Sequence, residues 1–438
     1  MNKQISILFF LLIISSSAFA QENNSMAKNG SVYSQFGIGL PAGSGSSSAY
    51  GAGVWGVSDV EPLVPTLANP AQWGYTYYGM ASGGIQANKF RGKDNLGTAH
   101  HSRIDVNSFQ LQLPLSKGKL GLSLSFSPYT RSSFQTIKSG QKVVGSATGQ
   151  KMLNFKTKDF GTGGINRYEL GLGWKINSHV SVGYAASLYH ASIKNDYTTT
   201  FADTSYTTVN NTILTSGAGF GNRLGTYLSF PLAGGSNQLN LGITVNFPVN
   251  LKSKKSEQKP YVTGNPNNKN SNGEKKLSSG SIHTPLGITA GVTYKPSRRV
   301  AVLAEGRFQQ WSDYHNTLRS TPSNVSFTNR YKIGAGLKYY PFVSGSDKFL
   351  SQFKYRIGAN YDTGNLKING KKINTLKLTA GFGLFSPTRI RGFNSSIDID
   401  FYYGIRGTTS HNLVKENIYG IKLSLNLAEL FFFRPKLQ

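Results

Sequence analysis

Apolar and polar residues alternate with period two in segment after segment from residue 75 onward. In QLNLGITVNF, 238–247, Leu239, Leu241, Ile243, Val245 and Phe247 share one face of an extended strand, and Gln238, Asn240, Gly242, Thr244 and Asn246 share the other. A strand of about ten residues divided in this way can cross a bilayer at a tilt of roughly 45°. The pattern recurs at 109–113, 120–126, 168–174, 180–188, 224–230, 286–294, 300–308, 331–339, 353–361, 376–384, 397–405 and 419–427, and more faintly at 75–86. The spacing predicts about fourteen strands.

The connections between these strands add a second pattern. In order they run long, short, long, short: 88–104 then 115–118, 130–165 then 176–178, 195–220 then 231–237, 251–282 then 296–298, 312–326 then 341–349, with 364–373, 386–394 and 406–416 less unequal. Outer-membrane barrels have this asymmetry because extracellular loops are long and periplasmic turns short, and an even strand count puts both termini in the periplasm. The basic, aromatic-poor 251–282 reads as a mobile loop, and 130–165, with Val143, Val144, Met152, Leu153, Phe155 and Phe160, as an ordered cap or binding lip.

Residues 1–20 read as a secretory signal: Lys3, the apolar run Ile5 to Ile14, and Ala18-Phe19-Ala20 before a cleavage that leaves Gln21 first. There is no cysteine at that start, which argues against a lipoprotein. No later segment approaches the roughly 18–20 apolar residues of a spanning helix, which argues against the inner membrane. Residues 21–74 differ from the rest. They are rich in Gly and Ser, are broken by Pro62, Pro65 and Pro70, and yet carry Val54, Trp55, Val60, Leu63, Val64 and Leu67. Such a segment is either a plug inside a barrel lumen or a disordered periplasmic tail. The organisation expected is therefore all-β: a signal peptide at 1–20, a plug at 21–74 and an antiparallel transmembrane β-barrel of about fourteen strands at 75–438, in the bacterial outer membrane.

Composition agrees with a barrel: 50 Gly, 23 Tyr and 26 Phe at only 38% hydrophobic residues. With no cysteine there is neither a disulfide framework nor a thiolate site. The net charge of +28 argues for anionic outer-membrane lipid, lipopolysaccharide or an anionic solute as partner, or for solvated basic loops; nucleic acid is not expected for an exported chain. If the aliphatic face meets lipid, Glu169, Glu305, Arg307, Lys354, Arg356, Asp398 and Asp400 line the lumen together with Arg167, Arg223, Arg299, Lys332, Lys338, Lys377 and Lys422. Arg or Lys at mid-depth on the lipid face would cost about 2–4 kcal/mol. These groups either brace wall and plug in buried charge networks or attract an anion such as a carboxylate. No enzyme is indicated: His100-His101 has no further metal ligands at fixed spacing, and no GxSxG, HExxH or phosphate-binding loop occurs. No cofactor or metal is expected.

Three stretches carry a resemblance: Asn69-Pro70-Ala71 closing the Gly-rich segment, LPLSKGKLGLSLSFSPYTRSSF at 113–134, and TPLGITAGVTYKPSRRVAVLAEGRFQQWSDY at 284–314. Over most of its length the chain resembles the FadL-type outer-membrane transporters of long-chain fatty acids and other hydrophobic compounds. The resemblance implies a fourteen-stranded barrel closed by an N-terminal hatch, with Asn69, Pro70 and Ala71 at the gate, ligand entry through the outer loops and exit through a wall opening. The family also includes PorV-type proteins that carry no lipid and serve type IX secretion, and the closing stretch 404–435 resembles barrels of bacteria with such machinery. Two functions follow: a channel for hydrophobic small molecules, or an accessory subunit of an outer-membrane secretion or assembly complex with protein partners.

Overall fold

The computed structural model describes residues 30–429 apart from 44, 62, 146–149, 204, 233–236, 259–273, 342–348 and 386–392. The expected signal sequence and cleavage point, and the centre of the expected 251–282 loop, lie outside the described residues.

The alternating segments form β1 (Gly79–Lys93), β2 (Thr98–Ser116), β3 (Leu120–Arg131), β4 (Phe134–Val144), β5 (Lys151–Lys175), β6 (Val180–Phe201), β7 (Val209–Pro231), β8 (Gln238–Asn246), β9 (Val249–Gln258), β10 (Glu274–Thr284), β11 (Gly287–Lys295), β12 (Val300–Gln309), β13 (Arg330–Tyr339), β14 (Phe353–Asp362), β15 (Thr375–Phe385), β16 (Phe393–Arg406) and β17 (Lys415–Glu429). β3 and β4 are one wall strand interrupted at Ser132-Ser133, since β4 continues the ladder of β3 along β5. β8 with β9, and β10 with β11, are single wall strands interrupted at Phe247-Pro248 and Pro285-Leu286, where proline removes a ladder donor. The wall therefore has fourteen strands, antiparallel throughout. It closes where β1 pairs with β17, Gly79 opposite Glu429 and Lys93 opposite Lys415. Closure satisfies the backbone without an edge, as a bilayer requires. No described helix is long and apolar enough to cross a membrane.

The outward face carries an apolar band that includes Leu170, Leu172, Leu224, Ile243, Ile333, Ile357, Leu378, Ile397, Ile421 and Leu423. Tyr331 and Tyr339 bound it on β13, eight residues apart. That is about 26 Å along the strand, and about 20 Å along the normal at a tilt of ~40°, close to the apolar height of an outer-membrane barrel.

Beyond the band the polarity of the two faces inverts. On β5 the outward residues change from Tyr168, Leu170, Leu172 and Trp174 to Asn154, Lys156 and Lys158, while the inward ones change from Arg167 and Glu169 to Leu153 and Phe155. The same exchange puts Val249 and Leu251 of β9 inside, where they pack with Ile38, Ile165, Ile193, Ile282 and Trp311. Here the structure corrects the sequence reading. Segments 88–104, 130–165, 195–220 and 251–282 were expected as loops, yet in the described residues they are largely strand, because the wall continues past the bilayer as a tower with an apolar core. Period two persists there, but the inverted polarity hides it from a membrane-strand pattern. Arg299 is also corrected: it sits exposed in the turn between β11 and β12 and not in the lumen.

Both ends of the described wall, Gly79 and Glu429, lie at the rim of the short turns 117–119, 176–179 and 296–299. From that rim the chain before β1 runs inside the barrel.

Candidate functional site

Residues 30–76 have little regular structure, and their backbone groups bond instead to the wall. A one-turn helix α1 (Ser47–Tyr50) and a 3-10 helix (Pro70–Tyr75) are the main local elements. Glu305 of β12 accepts the amide N–H groups of Trp55 (2.6 Å), Gly56 (2.9 Å) and Val57 (2.7 Å), so one carboxylate satisfies three consecutive buried donors. Thr379 donates to the carbonyl of Gly51 at 2.9 Å, and Asn360 to that of Gly53 at 3.2 Å. Arg223 donates to Leu67 O (2.7 Å) and Ala68 O (3.2 Å). The plug is thus bonded to the wall from several sides.

The glycines of the wall make this approach feasible. A Cβ on Gly242 would stand 1.9 Å from Val57 O, one on Gly336 2.1 Å from Ala52 O, and one on Gly225 2.1 Å from Asn69 Oδ1. The inward glycines are therefore seats for the plug backbone.

Asn69, Pro70 and Ala71 are packed against β6 and β7. Asn69 is fully buried. Its Oδ1 caps the 3-10 helix by accepting Ala71 N–H at 3.0 Å, and its Nδ2 donates to Val57 O (3.0 Å) and Thr226 O (2.8 Å). Pro70 occupies the first helical position, where its missing N–H leaves no gap in the ladder. The carbonyl of Ala71 accepts Ser181 Oγ at 2.5 Å.

Among the described residues, three charge networks of the lumen reach the plug. Glu169 binds Arg223 at 3.0 Å and Arg167 at 3.3 Å, and so holds Arg223 against the plug carbonyls. Arg356 bridges Asp398 and Asp400, the latter at 3.4 Å, and Asp398 also accepts Ser47 Oγ of the plug at 2.8 Å. In the third, Asp59 binds Lys338 (2.5 Å) and Lys295 (3.0 Å), while Glu61 binds Lys338 (2.8 Å) and Lys354 (2.6 Å). Burial opposes ionisation of Asp59, but the two ammonium groups outweigh it and hold the carboxyl at about 2. Arg307 donates to Thr289 Oγ1 at 3.0 Å and stacks over Trp55 at 4.4 Å from the ring centroid.

Asp59 and Glu61 were not among the residues singled out from sequence. The available signal was their isolation: they are the only charged residues between Lys28 and Lys89. Asp362, which pairs with Arg330 at 2.5 Å, and Glu416, which accepts Ser31 Oγ at 2.7 Å and Arg406 at 3.4 Å, were missed as well.

Above the plug lies a chamber of about 170 Å³ with a mixed lining, bordered by Asn107, Asp362, Lys332 and Lys377 and by Val54, Phe90, Pro128 and Ile418. Lys332 and Lys377 sit over the rings of Trp55 and Tyr402 at 4.8 Å from each centroid. Beside the chamber the β2–β3 ladder stops at Phe109–Phe126. Farther along, Thr130 and Arg131 of β3 pair with β5 and with Pro41 and Leu40 of the plug. The two wall strands thus part, and the Asp105 carboxylate lies at the parting, bonded to Arg103 and 3.9 Å from Arg131. Among the described residues no group of three His, Asp or Glu side chains could hold a metal ion.

A closed fourteen-stranded barrel with an internal segment packed across its lumen defines the class: an outer-membrane β-barrel with the FadL-type fold. Solved structures with the same fold are a Pseudomonas aeruginosa FadL homologue (TM-score 0.55, 13% identity, 90% of this chain and 99% of that one), the toluene transporter TodX of P. putida (0.50, 14%, 90% and 100%) and the toluene transporter TbuX of Ralstonia pickettii (0.50, 12%, 89% and 99%). No curated protein matches the chain by sequence. The chain belongs to the BamG family, whose model matches residues 1–438.

Proposed function

We propose that this chain is a non-enzymatic outer-membrane barrel that acts as an accessory subunit of a complex that assembles or exports outer-membrane proteins. In this reading residues 1–20 are removed as a signal, 21–74 form the plug, 75–438 form the barrel, and the short-turn rim with both termini faces the periplasm. The observation that carries it is the wired plug. Glu305, Arg223 and the Asp59–Glu61 lysine network tie the segment to the wall by charge-assisted bonds. The chamber above it has apolar residues such as Val54, Phe90 and Ile418 in its lining, but Lys332, Lys377 and Asp362 stand there too, and an apolar solute would have to desolvate them. A plug tied to the wall in this way suits a barrel that works through its outside. The outward row Ala304, Ala335 and Ala359, flanked by Val302, Leu337, Ile357 and Leu378, offers a shallow apolar trough for another membrane-embedded surface.

The parting of β2 and β3 beside the chamber favours a second reading, passage of a hydrophobic small molecule such as a fatty acid through the wall, with Asn69, Pro70 and Ala71 as gate. Purification from native membranes in mild detergent separates the two. The accessory reading expects stoichiometric protein partners and normal uptake of fatty acids and toluene when the chain is depleted. A lone barrel, together with uptake that is lost on depletion and altered by deleting residues 42–70, would overturn it in favour of transport.

A further inference from the structure

In the tower, on the side away from the short turns, four strands carry a row of polar side chains whose hydrogen-bonding capacity is unused. Thr136 of β4 stands opposite Asp159 of β5, Asp159 opposite Tyr197 of β6, and Tyr197 opposite Asn211 of β7. Directly opposed strand residues share a face with Cβ atoms about 5 Å apart. Thr136 Oγ1, Asp159 Oδ1 and Asn211 Oδ1 have no partner, and neither does Nδ2 of Asn195, two residues before Tyr197 on the same face. Asp159 and Asn195 are only 7% and 5% exposed. Unpartnered buried polar atoms are scarce in folded proteins, and several in one row call for a ligand.

Asp159, Asn195 and Tyr197 line a cavity of about 330 Å³, whose far wall includes Tyr314 and Leu318. That volume lies within the range of small-molecule sites. Lys138, Lys255 and Arg319 line it too, and none has a carboxylate within 4 Å among the described residues, so the cavity carries an excess of positive charge. Within the cavity the inventory is an acceptor oxygen of Asp159, the amide donor of Asn195, the phenols of Tyr197 and Tyr314 and a rim of three cations that outnumber the one carboxylate, while Thr136 and Asn211 extend the row beyond its lining. An acyl chain would leave the polar atoms unpaired. A pyranose ring would satisfy them, because its hydroxyls both donate and accept while its C–H face stacks on an aromatic ring.

We propose that this cavity binds an acidic saccharide, a sugar bearing phosphate or uronic carboxylate, with Asp159 and Asn195 reading its hydroxyls and Lys138, Lys255 and Arg319 its charge. The same chemistry is presented by the head group of an outer-leaflet glycolipid and by a soluble oligosaccharide. The inference goes beyond the accessory role and rests only on that reading's placement of the tower outside the cell.

The test uses the full-length barrel in nanodiscs free of glycolipid. The probes are the delipidated core oligosaccharide of the host's lipopolysaccharide, the intact lipopolysaccharide incorporated into the disc, and an oligogalacturonate, with binding read by saturation-transfer NMR and calorimetry. Asp159→Ala and Asn195→Ala are each expected to weaken binding about tenfold, the effect of one lost hydrogen bond. Asn195→Asp keeps the volume but turns the donor into an acceptor and should weaken it as much. Lys138→Gln with Arg319→Gln should remove most of the salt dependence. Heat-modifiable gel mobility establishes that each variant is folded. Binding of the core oligosaccharide and of intact lipopolysaccharide with the same variant dependence identifies a glycolipid head group; variant-dependent binding of oligogalacturonate alone identifies a soluble ligand. If none of the three binds, or if the variants bind as the parent does, the cavity holds water alone and the proposal fails. Finding the barrel without protein partners would count against the accessory role and leave this result unchanged.

Discussion

Replacing Glu305 by Ala tests whether the plug is held as the structure indicates. The carboxylate accepts three consecutive amides, those of Trp55, Gly56 and Val57, at 2.6–2.9 Å, and Val57 is fully buried. Each amide left without an acceptor in such a place costs about 1–3 kcal/mol. Water entering the vacated space recovers part of that, so the local opening free energy of this loop should fall by about 3–5 kcal/mol. At 1.4 kcal/mol per decade, amide exchange of residues 55–57 should accelerate roughly a hundredfold to several thousandfold. Glu305→Gln keeps the shape and one good acceptor, and should give an intermediate acceleration of roughly ten- to a hundredfold. The assay is hydrogen–deuterium exchange with mass spectrometry on the barrel in detergent micelles, with wall peptides from β5 and β16 as internal references. An acceleration below tenfold in Glu305→Ala, or an equal loosening of the reference strands, would refute the reasoning. The first outcome would mean that the carboxylate does not carry the loop, the second that plug and wall unfold as one unit.

Other perturbations probe the remaining anchors. Asn69→Ala removes the helix cap and both Nδ2 bonds, and should destabilise the 70–75 turn by about 2–3 kcal/mol, seen as faster protease cleavage within the plug while the wall stays resistant. Arg356→Ala leaves Asp398 and Asp400 buried without their cation and should lower barrel stability by about 3–5 kcal/mol; an unchanged thermal transition would contradict the network. Because the carboxyl of Asp59 is held at about 2, below its ordinary value near 4, its pairing stabilises the plug fully above ~4 and the contribution is lost as pH falls through ~2. Plug protection should therefore stay constant from pH 7 to about 5 and decline below ~4, and Asp59→Asn should lower it at neutral pH and flatten that decline. Gly242→Leu places a side chain where Val57 O lies, and should displace the plug enough to raise single-channel conductance in planar bilayers.

Much of the wall was legible in the sequence for a simple physical reason. A lipid-facing strand must be apolar at every second position, so segments such as 168–174 and 331–339 declare their face without reference to anything else. The strand number followed, and the same constraint is what points Glu169, Glu305, Arg356 and Asp398 inward, since none of these groups can face hydrocarbon. The tower was not legible. Its strands keep period two, but Lys156 and Lys158 point outward to water while Leu153 and Phe155 point inward, the reverse of the membrane pattern.

The plug marks the limit more sharply. Its glycines, serines and prolines show only that residues 30–76 form no ladder of their own. Which wall groups would satisfy their amides, carbonyls and carboxylates depended on side chains 250 or more residues away, such as Glu305 for the Trp55 amide and Lys338 for the Asp59 carboxylate. A hydrogen bond between distant segments leaves no local periodicity, so only the closed barrel, which brings those strands around one lumen, could assign it. By itself the sequence determined that alternate residues must face lipid, and therefore that the chain spans a membrane as strands. The tertiary structure alone decided that the lumen is filled, that its charges hold the filling, and that a polar cavity stands unsatisfied above it.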